Sequence, residues 1–204
     1  KVVSTNNTDS DIFAHFAADN ALLIQALFIR NGKLSGAKDF FFNKQELPIE
    51  EVFYSFLTRY YSGNKFIPDE IVISLPIEDR DTMEDWLSEK KGKKIRFFSP
   101  VKGNRFKLLK MAEANAKESL KRRNENIEKK LILLEGLKKK LRLKKLPNII
   151  EAFDISNISG KMAVGAMVVF ENAKPNKDRY RLYKIKTIEQ PNDYGMLNEV
   201  LSRR

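Results

Sequence analysis

The sequence holds no cysteine and a single histidine, His15, in 204 residues. Without thiols there are no disulfides, no thiolate nucleophile and no Cys-ligated zinc or iron–sulfur centre. One imidazole leaves no basis for a self-contained His/Asp catalytic pair, so any metal chemistry has to rest on carboxylates. Long apolar runs are missing as well: no stretch approaches the ~20 uninterrupted apolar residues of a bilayer-spanning helix. The opening KVVSTNNTDSD lacks the apolar centre of a secretory signal. These absences argue against a membrane protein and for a cytoplasmic setting. Gly160 and Gly165 sit in GKMAVGA, which is not a Walker pattern. They read as turn and close-packing glycines rather than as a phosphate loop.

What is present is a large hydrophobic complement, 42% of residues with 14 Phe, enough for packed globular structure. Lys and Arg total 38 against 27 Asp and Glu, and the resulting charge of +11 suggests a polyanionic partner, above all nucleic acid. The excess is concentrated. Residues 120–146, LKRRNENIEKKLILLEGLKKKLRLKKL, carry +8 of it, so the flanking regions are close to balanced.

Residues 11–43 read as three strands, DIFAHFA, ALLIQALFIR and AKDFFFN, with turn candidates at Asp19-Asn20 and Asn31-Gly32. After Pro48 the apolar positions Ile49, Val52, Phe53, Phe56, Leu57 and Tyr60 recur at helical spacing, and Gly63 follows. DEIVISLP over 69–76 is a buried-strand pattern, 78–90 a helix, KKIRFFS a further strand, and a third helix starts at Asn104. The order β-β-β-α-β-α-β-α, antiparallel strands followed by alternating units, is that of the ribonuclease H-like fold.

From about 124 to 143 Ile127, Leu131, Leu134, Leu137 or Lys138, and Leu141 repeat near heptad spacing on a very basic helix, weakened locally by Gly136. This connector is either a solvated helix packing one leucine stripe or a lever facing DNA, and both roles are compatible. After Pro147 the pattern restarts: IIEAFDIS, KMAVGAMVVFEN and RYRLYKIKTI as strands, then a helix capped at Asn192. ALFIRNGK (26–33) and MVVFENAK (167–174) fall at equivalent places, as a duplicated fold would have it, although short apolar strands before Asn turns also coincide by chance. The fold class is therefore α/β with mixed sheets: a flexible segment 1–10, a ribonuclease H-like domain 11–123, a basic helical connector 124–147, and at 148–204 the β-β-β-α first half of a second such unit.

EAFDISNISG places Asp154 inside an apolar run. An isolated charge in a buried strand costs several kcal/mol unless cations or donors meet it. Two readings stay open. Asp154 caps the turn into Ser156-Asn157, or it is one of the sheet-centre carboxylates with which two-metal phosphodiester enzymes hold Mg²⁺ or Mn²⁺ to activate water and stabilise the leaving oxygen. Aligning Phe13 with Phe153 puts Ala14 opposite Asp154, so the first unit reads as lacking a metal site. His15 reads as a packed or edge histidine. Arg179, Arg181, Lys184 and Lys186, interleaved with Tyr180 and Tyr183, suit either a DNA backbone contact or a solvated edge strand.

FDISNISG, MVVFENAKP, YRLYKIKT and NDYGMLNEVLSRR, over 149–204, closely resemble the start of the endonuclease domain of the UvrC family of bacterial excinucleases. The upstream stretch LPIEDRDTMEDWLSEKKGKKIRFFSPVKGNRFKLLKMAEANAKESL resembles the same family more loosely. The resemblance implies dual incision of damaged double-stranded DNA in nucleotide excision repair, after UvrA and UvrB have located the lesion. It also implies that Asp154 is the first metal-binding and catalytic aspartate of an Asp-Asp-His site whose other members follow Arg204. On this reading the chain is a central fragment, inactive by itself, of an enzyme using Mg²⁺ or Mn²⁺. The DNA-facing candidates are Lys138, Lys139, Lys140, Arg142, Lys144, Lys145, Arg179 and Arg181. The rival reading is a non-catalytic module that grips DNA or UvrB. The uncovered edge of a half-unit also allows self-association.

Overall fold

The computed structural model describes residues 8–18, 21–43, 47–158, 162–188 and 192–204. The Asp19-Asn20 turn, most of the segment 1–10 and the Ser159-Gly160 part of the turn expected after Asp154 lie outside them. The chain divides into two compact units, Lys1–Arg123 and Asn124–Arg204.

In the first unit, strands β1 (Ser10–Ala18), β2 (Ala21–Arg30) and β3 (Lys33–Asn43) form an antiparallel meander. Strands β4 (Glu70–Ile73) and β5 (Arg96–Phe98) then add in parallel, giving the order β3-β2-β1-β4-β5 with β1 at the centre. That centre explains why β1 and β2 are apolar at consecutive positions: both faces are covered. Helices α1 (Ile49–Ser62) and α2 (Arg80–Lys91) lie on one face, where Phe53, Leu57, Met83 and Leu87 pack on Phe13, Ile24, Ile71 and Phe97. Edge-on aromatic pairs knit this layer, Phe13 with Tyr60 at 5.4 Å between centroids for example. Helix α3 (Gly103–Lys140) covers the other face, Leu108, Leu109 and Ala112 packing on Ile12, Ala14, Leu27 and Val72.

Helix α3 runs from Gly103 to Lys140 as one element of 38 residues, where the sequence pattern suggests two helices. Gly136 does not interrupt it, since a lone helical glycine costs only ~1 kcal/mol. The helix stops at Arg142, whose φ of 52° is left-handed. The amides of Arg142 and Leu143 then turn back to the carbonyls of Lys139 and Lys138 at 3.2 and 2.9 Å. Lys144 and Lys145 consequently lie beyond the helix.

The second unit is a smaller antiparallel sheet of β6 (Ile149–Ile158), β7 (Met162–Glu171), the two-residue β8 (Lys174–Pro175) and β9 (Arg181–Lys184), with β8 and β9 both pairing β7. The long strand expected over 179–188 is broken. A 3-10 turn occupies Lys177–Arg179. At the other end the amides of Lys186 and Thr187 donate to the Glu199 carboxylate, both at 2.9 Å, rather than to a strand. Helix α4 (Asp193–Arg203), capped by the Asn192 side chain accepting from the Gly195 amide, covers one face through Met196 and Val200.

Register demonstrates the internal correspondence. Phe13 pairs Ala26 in the first unit, and Phe153 pairs Met167 in the second. The hairpins that follow, Asn31-Gly32 and Asn172-Ala173, both have left-handed φ at their two central residues, 51° and 71° against 50° and 56°. Such a turn matches the strand twist. No helix among the described residues is long and apolar enough to cross a membrane.

Candidate functional site

Alternation along β6 sets the site. Glu151, Phe153 and Ile155 face α4, while Ala152, Asp154 and Ser156 face the other way and are exposed. Asp154 thus does not sit in a buried strand, as the apolar run suggests. It stands on the uncovered face of an edge strand, beside Ala166 of β7 and, one strand further, Leu182 of β9, which is 77% exposed. Its carboxylate makes no ion pair or hydrogen bond among the described residues. The compensation that a buried charge demands is therefore not required here.

Gly165 is what lets α4 approach so closely. A Cβ there would come within 2.5 Å of Val200 Cγ2. The result is a thin unit with one face closed by α4 and the other open around Asp154.

The counterpart of Asp154 in the first unit is Ala14, which is fully buried under α3 against Leu108, Leu109 and Ala112. Neither a carboxylate nor access exists at that place. The buried carboxylate of the molecule is a different one, Asp11, which sequence reasoning missed. Its Oδ1 lies 2.7 Å from Arg30 Nη2, and the Tyr61 hydroxyl donates to its Oδ2 at 2.7 Å. Burial pushes the Asp11 carboxyl above its ordinary value of 3.8, and the Tyr61 hydrogen bond and Arg30 charge offset this only partly. The same burial drives the Tyr61 phenol well above its usual range. Asp11 beside Ser10 at the head of an apolar strand, with Arg30 at the end of the next, was the available signal. The arrangement is a structural clamp tying β1, β2 and α1. Glu151 holds the equivalent place in the second unit, paired with Arg204 and, at 3.9 Å, with Arg179.

His15 is half-buried, its Nδ1 sharing a hydrogen bond of 2.7 Å with Ser74 Oγ and its ring edge-on to Phe53. Burial lowers its basicity. It is a packed histidine.

Of the basic candidates, Lys139, Lys140, Arg142, Lys144 and Lys145 are exposed and Lys138 half-buried, gathered at the end of α3 and the turn after it. Arg179 and Arg181 come together elsewhere, lining a recess of about 310 Å³ with Glu151, Tyr183 and Arg204. Strand alternation puts Arg181 on the α4 side, opposite Asp154, whereas Lys184 shares the Asp154 face through its pairing with Val164. Lys184 is the basic residue of that strand best placed for a partner lying over Asp154.

Among the described residues Asp154 is the only carboxylate that the strands direct onto this face, and no group of three His, Cys, Asp or Glu side chains is close enough to hold a metal. A pair of Mg²⁺ or Mn²⁺ ions needs several such ligands, and the described residues do not by themselves bring such a set together.

Comparison with known proteins adds the following. The family model described as UvrC Ribonuclease H-like domain matches residues 9–123, and that described as UvrC RNAse H endonuclease domain matches 138–204. Similar curated proteins include "UvrABC system protein C" of Clostridioides difficile, 40% identical over 206 residues covering 98% of this chain and 34% of that protein. The protein of the same name from Geobacter metallireducens is 39% identical over 204 residues, 100% of this chain and 33% of the relative. The chain therefore spans about a third of the length of these relatives.

Proposed function

The chain belongs to the UvrC family, and from that premise we propose that it forms part of a metal-dependent DNA endonuclease that incises damaged double-stranded DNA in nucleotide excision repair. The second unit contributes Asp154, one ligand of a Mg²⁺ or Mn²⁺ site completed by residues outside 1–204. UvrB, brought to the lesion with UvrA, is the protein partner. The observation that carries this reading is the placement of Asp154 on an open sheet face while its counterpart Ala14 is sealed under a helix. A carboxylate on an apolar face, with no partner among the described residues, is suited to an external cation. Lys184 on the same face and the lysines after α3 suit the phosphates of the substrate.

The experiment is Mg²⁺- or Mn²⁺-dependent nicking of a lesion-bearing duplex, with UvrA and UvrB, by a chain extended beyond Arg204. Asp154→Ala should abolish cutting while leaving the melting temperature unchanged, and chain 1–204 alone should not cut. Undiminished incision by Asp154→Ala would refute the assignment.

For the first unit a second reading is favoured by a specific observation: Ala14 is buried and no carboxylate cluster accompanies it among the described residues. That unit is a binding and scaffolding module. The basic cluster Lys138, Lys139, Lys140, Arg142, Lys144 and Lys145 belongs to the second unit and is tested separately: if it tracks phosphates, neutralising each residue should reduce the slope of log affinity against log salt by about 1.

A further inference from the structure

Within the second unit the last turns of α3 face the β7–β8 hairpin across a groove of about 1030 Å³. Its floor is apolar: Ile127, Leu131 and Leu134 at i, i+4 and i+7 on the helix, with Pro175 opposite. Leu134 is buried, but Ile127 and Leu131 are 55% and 50% exposed, an unusual state for two large residues on one stripe. Lys174 and Lys177 stand on the hairpin rim. Of the two acidic residues in the lining, Glu171 is engaged, accepting from Asn176 Nδ2 at 2.7 Å, and Asp178 lies between Lys177 and Arg179 in the 3-10 turn.

We propose that this groove is the docking site of an acidic amphipathic helix of a partner protein, its apolar side chains on the Ile127–Leu131–Leu134 stripe and its carboxylates on the flanking lysines. Spacing matches helix-in-groove recognition, in which anchors recur every three to four residues. Charge selects among occupants. Residues 120–146 carry eleven Lys and Arg against three Glu, so a second copy of the chain would bring like charge against like. DNA would be drawn to the lysines but has nothing to place on a leucine floor. The mixture of an apolar floor with a charged rim is that of an interface between separately folded partners rather than of a permanent core, where charged residues are depleted.

The test uses purified chain 1–204 and a fluorescent 18-residue peptide with Leu at i, i+3, i+4 and i+7 and Glu at most other positions, followed by anisotropy. The proposal expects saturable binding, weakened at least tenfold by Leu131→Glu and by Ile127→Ser, each checked by circular dichroism for an intact fold. Lys174→Glu with Lys177→Glu should weaken it further and flatten its salt dependence. A peptide of the same pattern with Lys for Glu should not bind. Equal binding of the Lys peptide, or no loss in both Leu131→Glu and Ile127→Ser, would overturn the proposal. So would a dimer in sedimentation equilibrium that Leu131→Glu dissolves, which would give the groove to a second copy. Strong hydrogen-exchange protection of 127–134 in a longer, peptide-free form of the protein would give it to the chain's own sequence and equally overturn it.

Discussion

The two sheets of this chain run the same course from β-β-β into a helix, with the same register and the same left-handed hairpin, yet they treat one position in opposite ways. In the first, the strand position after Phe13 is an alanine pressed under α3. In the second, the position after Phe153 is an aspartate facing outward, with no helix of the described residues over it. The difference teaches that in two sheets of the same course, whether a strand position is sealed or accessible depends on what covers its face as much as on what stands in the strand. Closing a face stabilises a unit and removes access to it; leaving it open keeps access at the expense of burial.

The sharpest way to break this comparison is to exchange the two residues. Ala14→Asp should destabilise the first unit by about 3–5 kcal/mol, the cost of an uncompensated buried charge. Asp154→Ala should change stability by no more than about 0.5 kcal/mol, as a surface substitution does. Urea unfolding of both variants checks this, and similar losses for the two would end the contrast.

The α-helical face supplies a second pair. Ile24 and Gly165 hold the same place, opposite His15 and Ile155 respectively. Ile24→Ala should cost about 2–5 kcal/mol through the cavity it leaves. Gly165→Ala should cost about 1–3 kcal/mol for the reverse reason, since the new methyl meets Val200. Denaturation midpoints resolved for each unit would show both losses.

Smaller effects are expected at the hairpins. Gly32 tolerates its φ of 71°, whereas Ala173 is strained at 56°. Gly32→Ala should therefore destabilise the first unit and Ala173→Gly stabilise the second, each by about 1 kcal/mol, in thermal unfolding.

The smallest is a difference in pH response. Because burial raises the Asp11 carboxyl above 3.8, the folded first unit binds that proton more tightly than the unfolded chain. Its contribution is most favourable below 3.8 and declines as pH climbs through the raised value. Glu199 behaves oppositely. Hydrogen bonds from Thr187, with Lys186 and Arg203, hold it down from 4.5 to about 2, so its contribution is present above 4.5 and is lost as pH falls toward 2. Stability measured against pH for Asp11→Asn and Glu199→Gln, each relative to the parent, should show differences of opposite slope.

Much of the fold is legible in the sequence because it rests on local pattern. The helical spacing after Pro48, the Asn-Gly hairpin and the apolar runs of β1, β2 and β4 each specify their element, and their order specifies the sheet. What is not legible depends on tertiary cover. Asp11 and Asp154 look alike in sequence, a carboxylate among apolar residues, and the pattern points to Asp154 as the buried one. The structure buries Asp11 instead, because β1 is central and covered on both faces, while among the described residues β6 pairs only β7 and is covered on one face. The single helix from Gly103 to Lys140 is hidden by the change of pattern near Asn124, where an inward apolar face gives way to a leucine stripe on a basic segment, and the break of the last strand by Glu199, whose hold on residues 186–187 has no local signature. Lys184 and Arg181 are separated by strand alternation, yet which of them shares a face with Asp154 follows only once the register of β9 is known.

The absence of native cysteine permits a direct test of the open and closed faces. Asp154→Cys and Ala14→Cys would each carry the only thiol of chain 1–204, and their rates of reaction with a maleimide can be compared with that of a free thiol under native conditions. The account predicts that Cys at 154 reacts within about tenfold of the free thiol. Cys at 14 should react at least about a thousandfold more slowly, through global unfolding alone. Protection at 154, or ready labelling at 14, would contradict it.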